Sequence, residues 1–161
     1  LAALVERAGA RNYLVEIGGE IRCRGVNASG GPWRIGVETP FDGNDLCGAS
    51  VQRRLRMSGG GLATSGNYRR YYVGADGAKV AHTIDPRTGR SALSRLLSVT
   101  VAAPTCAEAD ALGTMYLAMG ADAALERVRA DAEARVYFIL AAPDGGYEEY
   151  VSPAMEALLL D

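Results

Sequence analysis

The sequence is poor in the residues that most often carry chemistry: one His, three Cys and one Trp in 161 residues. A single His excludes a His-rich metal site, and any step that needs an imidazole falls to His82. The sparse cysteines, Cys23, Cys47 and Cys106, exclude a disulfide framework. They also lack metal-ligand spacing, so they read as structural. Charge of either sign is not in excess: Lys+Arg 17 against Asp+Glu 19 gives a net charge of −2. With no basic surplus to hold a phosphate backbone, nucleic acid is not an expected partner. No apolar run reaches the ~18 residues of a membrane span. Nothing after Leu1 has the charged, apolar and cleavage-site succession of a signal peptide.

What is present is enough for one core. Hydrophobic residues make up 48% and charged residues 22%, which excludes disorder and fits a single domain over 1–161. Glycine is abundant, 20 of 161 residues, against a background of about 7%. Such an excess means many turns, or backbone that must approach a ligand closely.

Patterning along the chain predicts an α+β fold, a mixed or antiparallel sheet with helices packed on it. Helical spacing covers 1–8, and two strands flank Gly18-Gly19 within 13–24. Residues 27–32 are a turn cluster, 33–37 a strand, 41–50 a loop and 51–57 a strand. The stretch Ser58 to Gly66 reads as a glycine-rich connecting loop, or as backbone amides facing an anion. Tyr71-Tyr72-Val73 and 79–84 read as a hairpin across Asp76-Gly77, followed by a tight turn at 85–89. An apolar strand over 96–103 ends at Pro104. Thr105 and Glu108 have capping-box spacing and start a helix that runs to about Met119. Its expected apolar stripe is Ala111, Leu112, Met115, Tyr116 and Met119. A second helix over 122–130, a hairpin of 136–141 with 147–151, and a short helix over 153–160 complete the chain.

Three features could carry chemistry. Asp110 and Thr114 are one helical turn apart at the border of the buried face. A carboxylate and a hydroxyl so placed are hard oxygen ligands suited to Mg²⁺, or else an ordinary solvated face. His82 ends a strand before the 85–89 turn, where it is either a general base or a half-buried imidazole satisfied by a carbonyl. Gly18-Gly19 is a strand bulge or a close approach to a flat ligand, and Trp33 reads as core.

Taken in order, the motifs stop looking independent. They are Glu16-Ile17-Gly18-Gly19-Glu20, Pro32-Trp33-Arg34-Ile35-Gly36-Val37-Glu38-Thr39-Pro40, Ala63-Thr64-Ser65-Gly66-Asn67-Tyr68-Arg69-Arg70, Ala81-His82-Thr83-Ile84-Asp85-Pro86-Arg87-Thr88-Gly89, Ser98-Val99-Thr100-Val101, and Ala107-Glu108-Ala109-Asp110-Ala111-Leu112-Gly113-Thr114. In this order they resemble the FAD:protein FMN transferase family, also called the ApbE family, over nearly the whole chain. The resemblance implies Mg²⁺-dependent transfer of FMN from FAD, the substrate, to a threonine hydroxyl of a target protein, with release of AMP. It implies metal ligation by Asp110 and Thr114, and a chemical role for His82. It also implies FAD contacts at Ile84 (through its backbone), Thr83, Ser65, Gly66, Gly18 and Gly19. The implied target is a flavoprotein subunit of a membrane redox complex, in the periplasm or on the outer face of the bacterial cytoplasmic membrane.

Members of this family are roughly double this length, so the chain is expected to be a C-terminal half. The other half would carry an early flavin-contacting segment, a further Mg²⁺ ligand and any export signal. Apolar faces near Leu1 are then expected to be exposed, to be covered by that half or by self-association. Two further readings are an FAD pyrophosphatase giving FMN and AMP, with water in place of the threonine, and a non-catalytic flavin-binding or structural module.

Overall fold

The computed structural model describes residues 1–39, 50–67, 71–73 and 79–160. The loop expected over 41–50, except Ser50, the Asp76-Gly77 turn and Cys47 lie outside these residues.

The elements run in the order α1 (Ala2–Arg7), β1 (Tyr13–Ile17), β2 (Glu20–Arg24), β3 (Trp33–Glu38), β4 (Val51–Met57) and β5 (Gly59–Gly66). Then come β6 (Tyr71–Val73), β7 (Lys79–Ala81), β8 (Ile84–Asp85), β9 (Arg90–Ser91) and β10 (Leu96–Ala103). The last part holds α2 (Cys106–Met119), α3 (Ala121–Arg129), β11 (Val136–Ala141), β12 (Tyr147–Val151), α4 (Pro153–Glu156) and β13 (Leu159–Leu160). Six strands form one sheet in the order β1-β2-β5-β10-β11-β12, antiparallel at every pairing. A second sheet has the order β13-β4-β3, and β6-β7 and β8-β9 are separate hairpins. The α+β class with antiparallel sheet and packed helices stands.

Period-two alternation sends each face of the large sheet to a different layer. Val136, Phe138 and Leu140 join Val99 and Val101 under α2 and α3. Tyr137 and Ile139 point the other way, onto Ile35, Val37, Leu55 and Met57 of the second sheet. β11 is therefore apolar on both faces, and each large side chain it buries contributes about 1.5–3 kcal/mol. Trp33 packs at the margin of this second cluster, with Nε1 donating to the Arg24 carbonyl at 3.1 Å.

Four expectations change. The stretch 59–66 is not a connecting loop but β5, in the middle of the sheet. α2 lies directly on one of its glycines: a Cβ on Gly61 would collide with backbone atoms of Thr105 and Cys106, while Gly60, at φ 95°, would meet the Ala103 carbonyl of β10. The buried stripe of α2 is Ala109, Gly113, Tyr116 and Leu117, while Ala111 and Met115 face solvent. Ala109 and Gly113 belong to the stripe because the helix meets the sheet closely there, where size counts for more than hydropathy. The strand expected over 79–84 stops at Ala81. Thr83 Oγ1 donates to Asn67 Oδ1 at 2.8 Å, and Ile84-Asp85 pairs with Arg90-Ser91 around the turn instead. The closing helix ends at Glu156, since Leu159 and Leu160 pair with Leu55 and Arg54.

The N-cap expected from that spacing is present: Thr105 Oγ1 accepts from the Glu108 N–H at 3.2 Å. Gly120, at φ 79°, ends α2 and begins α3. At the other end of the chain α1 buries no residue. Leu1 (66% exposed) and Ile17 (61% exposed) line an apolar groove of about 540 Å³ with Val15.

Candidate active site

The large sheet has a notch. β2 pairs with β5 only as far as Leu62, because the β1–β2 turn at Gly18-Gly19 reverses the chain there. Beyond that point β5 continues from Ala63 to Gly66 beside β10 alone. α2 crosses above, and the loop after β7 closes one side. The result is an open cleft of about 610 Å³.

Eight of the nine residues singled out from the sequence line this cleft: Gly18, Ser65, Gly66, His82, Thr83, Ile84, Asp110 and Thr114. Gly19 belongs to the same turn but does not line it. Glu20, Thr64 and Leu117 line it as well and were not among the nine. Leu117 lies three residues after Thr114, so helical spacing from Asp110 and Thr114 would have found it. Glu20 and Thr64 adjoin singled-out residues, but their orientation depends on strand register, which local pattern does not give.

Packing fixes the metal-binding candidates. Gly113 lies between Asp110 and Thr114 on the face of α2 that meets the sheet. A Cβ there would sit 2.7 Å from Ser65 Oγ. The helix thus rests on β5 at glycine distance, with Asp110 and Thr114 exposed on its cleft side. His82 is exposed, not half-buried, and Ile84 is 49% exposed. Thr83 is buried and anchors the segment. Below it, Asp85 takes the Arg87 guanidinium at 3.1 Å, and that contact holds its carboxyl below the usual range.

Burial pushes the Cys106 thiol up; the carboxylates of Glu20 and Asp110 add to this and Arg22 opposes it. Glu20 and Asp110 both line the cleft, and among the described residues no Lys or Arg does, so a cation there would be favoured. Among the described residues no three His, Cys, Asp or Glu side chains converge as a metal cage. The chain therefore offers a carboxylate and a hydroxyl, an oxygen pair that fits Mg²⁺, an ion that keeps several waters and takes phosphate oxygens. Across the floor of the notch, Thr64 Oγ1 and the fully buried Thr100 Oγ1 are 2.9 Å apart.

Comparison with known proteins identifies a family. The model of the ApbE family matches residues 1–138. The FAD:protein FMN transferase of Salmonella typhimurium is 40% identical over 160 residues, covering 99% of this chain and 44% of that protein. The Vibrio cholerae protein of the same name is 40% identical over 161 residues, covering 99% and 46%. Among solved structures, the flavin transferase ApbE from Vibrio cholerae superposes with a TM-score of 0.80 at 38% identity, over 98% of this chain and 48% of that one. The apo flavinyl transferase ApbE of Pseudomonas stutzeri gives a TM-score of 0.80 at 29% identity, over 98% and 46%. The chain spans a little under half the length of these relatives.

Proposed function

The chain belongs to the ApbE family, and from that premise we propose that it carries the pyrophosphate-cleaving side of a flavin transferase. FMN passes from FAD to a threonine hydroxyl of a target protein, and AMP leaves. The observation that carries this reading is the meeting, in one cleft, of residues from four distant segments, with Asp110 and Thr114 one helical turn apart beside His82.

The chemistry asked of these residues is modest. The hydroxyl oxygen bonds to the phosphorus on the FMN side. The bond from that phosphorus to the bridging oxygen breaks, and AMP departs with the oxygen. Asp110 and Thr114 would hold Mg²⁺, which would neutralise charge on the pyrophosphate oxygens. His82 takes the proton from the attacking hydroxyl, a form of help worth about 10²–10⁴-fold. Gly18, Ser65 and Gly66 let the substrate lie close to the backbone, and Thr83 and Ile84 present main chain to FAD. The acceptor we propose is a flavoprotein subunit of a membrane redox complex, modified in the periplasm or on the outer face of the bacterial cytoplasmic membrane.

The test is mass spectrometry of a threonine-containing acceptor protein incubated with FAD, Mg²⁺ and the enzyme. A gain of the FMN mass supports transfer. Conversion of FAD to FMN and AMP with an unchanged acceptor assigns the cleft to a pyrophosphatase. No turnover, with FAD still bound in a calorimetric titration, assigns it to a non-catalytic flavin-binding module.

A further inference from the structure

Among the described residues the main-chain edge that β5 presents to the notch is unpaired, and its chemistry can be read from the ladder. In an antiparallel pair, opposite residues alternate between exchanging two hydrogen bonds and exchanging none. Asn67 N–H donates to the Leu97 carbonyl at 3.2 Å. The odd-numbered residues of β5 therefore bond to β10. Gly25 N–H donates to the Ser58 carbonyl at 2.7 Å, which assigns the even-numbered residues to β2. Ala102 N–H donates to the Arg135 carbonyl at 3.0 Å, so the even residues of β10 face β11 and leave its odd ones for β5. The Thr64–Thr100 hydroxyl contact belongs to a pair that exchanges no main-chain bond, where side chains come closest. All four observations agree.

Leu62 is the last even residue with a β2 partner, Ile21. The next would be Gly19 opposite Thr64, but the chain has already turned. The N–H and C=O of Thr64 and Gly66 thus point into the cleft that holds Asp110 and Thr114. Among the described residues neither has a main-chain partner on that side.

We propose that this edge docks the acceptor polypeptide, which adds to β5 as a short extended segment in line with the end of β2. The proposal rests on the transferase reading, in which the second substrate is a protein. An edge that offers donor and acceptor from the same residue is complementary to a peptide backbone, whereas the exposed carbonyls would repel an anion. Two outward residues span only about 7 Å of strand, so the clamp is short. Its value is placement: a hydroxyl on a flexible acceptor must be brought to within about 3–3.5 Å of the phosphorus to react. Recognition of backbone also leaves the acceptor's side chains free, and Gly66 adds no side chain to obstruct it.

The test is amide exchange and chemical shift by NMR on the ¹⁵N-labelled chain. The probe is the capped peptide acetyl-Lys-Ala-Ala-Thr-Ala-Ala-Lys-amide at millimolar concentration. The Thr64 and Gly66 amides should shift and slow in exchange by about tenfold or more, while Ala63 and Ser65, bonded to β10, hold steady. The same peptide N-methylated at alternate residues should do nothing. Thr64→Pro removes the outward N–H together with the hydroxyl contact to Thr100 and fixes φ; Thr64→Ala, which loses that contact but keeps the N–H, is its control, and only the proline variant should abolish the response while α2 and α3 resonances stay in place. No response of the Thr64 and Gly66 amides to the peptide, with FAD and Mg²⁺ present or absent, or an equal response to the methylated peptide, would overturn the proposal. The transferase reading fails separately, if FAD with Mg²⁺ leaves Asp110 and Thr114 unperturbed.

Discussion

Replacing Gly113 by Ala sets two effects of opposite sign against each other. Alanine in a helix interior is favoured over glycine by about 1 kcal/mol. Against this, the new Cβ would lie 2.7 Å from Ser65 Oγ, 3.4 Å from Ser65 Cβ and 3.8 Å from the Val99 carbonyl oxygen. Only the first distance is a clash, and forcing a methyl into a packed site costs about 1–3 kcal/mol. The net expectation is a loss of about 1 kcal/mol in the unmodified background. In a Ser65→Ala background the hydroxyl is gone and the nearest remaining atom is at ordinary contact distance. There Gly113→Ala should gain the full helix preference, about 1 kcal/mol. The coupling between the two positions is then about 2 kcal/mol, well above the scatter expected of independent sites. Urea titrations of the four proteins followed by far-UV circular dichroism give it directly, provided the slopes match. If Gly113→Ala has the same effect in both backgrounds, α2 does not rest on β5 through Ser65, and the account of how Asp110 and Thr114 are placed is wrong.

Three further outcomes follow from the cleft and the sheets. Asp110→Ala should remove Mg²⁺-dependent flavin transfer, and Thr114→Ala should raise the Mg²⁺ concentration needed by about tenfold; full activity of Asp110→Ala at low Mg²⁺ would exclude metal ligation. His82→Ala should lower turnover by about 10²–10⁴-fold while FAD affinity changes little; a change confined to affinity would make His82 a contact residue only. Glu149 bears on pH: burial pushes its carboxyl up, but hydrogen bonds from Arg53, Gln52 and Tyr137 outweigh that and hold it below the usual value. Its contribution is therefore complete above the unfolded carboxylate pKa of about 4.3 and is lost as pH falls through the lower folded value. Urea midpoints measured from neutral to acid pH should drop less steeply for Glu149→Gln than for the unmodified protein, and identical acid limbs would refute this.

The elements legible in the sequence were those with a local cause. The strand over 96–103, its stop at Pro104, the Thr105 cap and the break at Gly120 all appear where pattern and capping chemistry place them. The Gly18-Gly19 hairpin does too. β5 was hidden because Gly59, Gly60 and Gly61 carry no β-forming side chain, and what demands glycine at position 61 is a helix some 45 residues later in the chain. The α2 stripe was misassigned for the same reason: hydropathy ranks Met115 above Gly113, but the distance to Ser65 admits only the smaller residue. The cleft residues could be grouped beforehand because their motifs occur in a family's order, and eight of the nine line one cleft. The notch that unites them follows from where β2 ends, and local patterning says nothing about partners across a sheet.

The alternating ladder has a consequence for how this protein can vary. Because Thr64 and Gly66 face the notch only by parity, inserting or deleting one residue in the Ser58–Gly61 run would exchange the outward and inward sets. Leu62 and Ala63 would trade layers, and Ser65 would leave Gly113. Length in that glycine run is therefore constrained more tightly than its composition suggests. A gene library of single-residue indels across the chain should be depleted here as strongly as in the hydrophobic centre of β11, although the run itself contributes almost no apolar side chain to the interior.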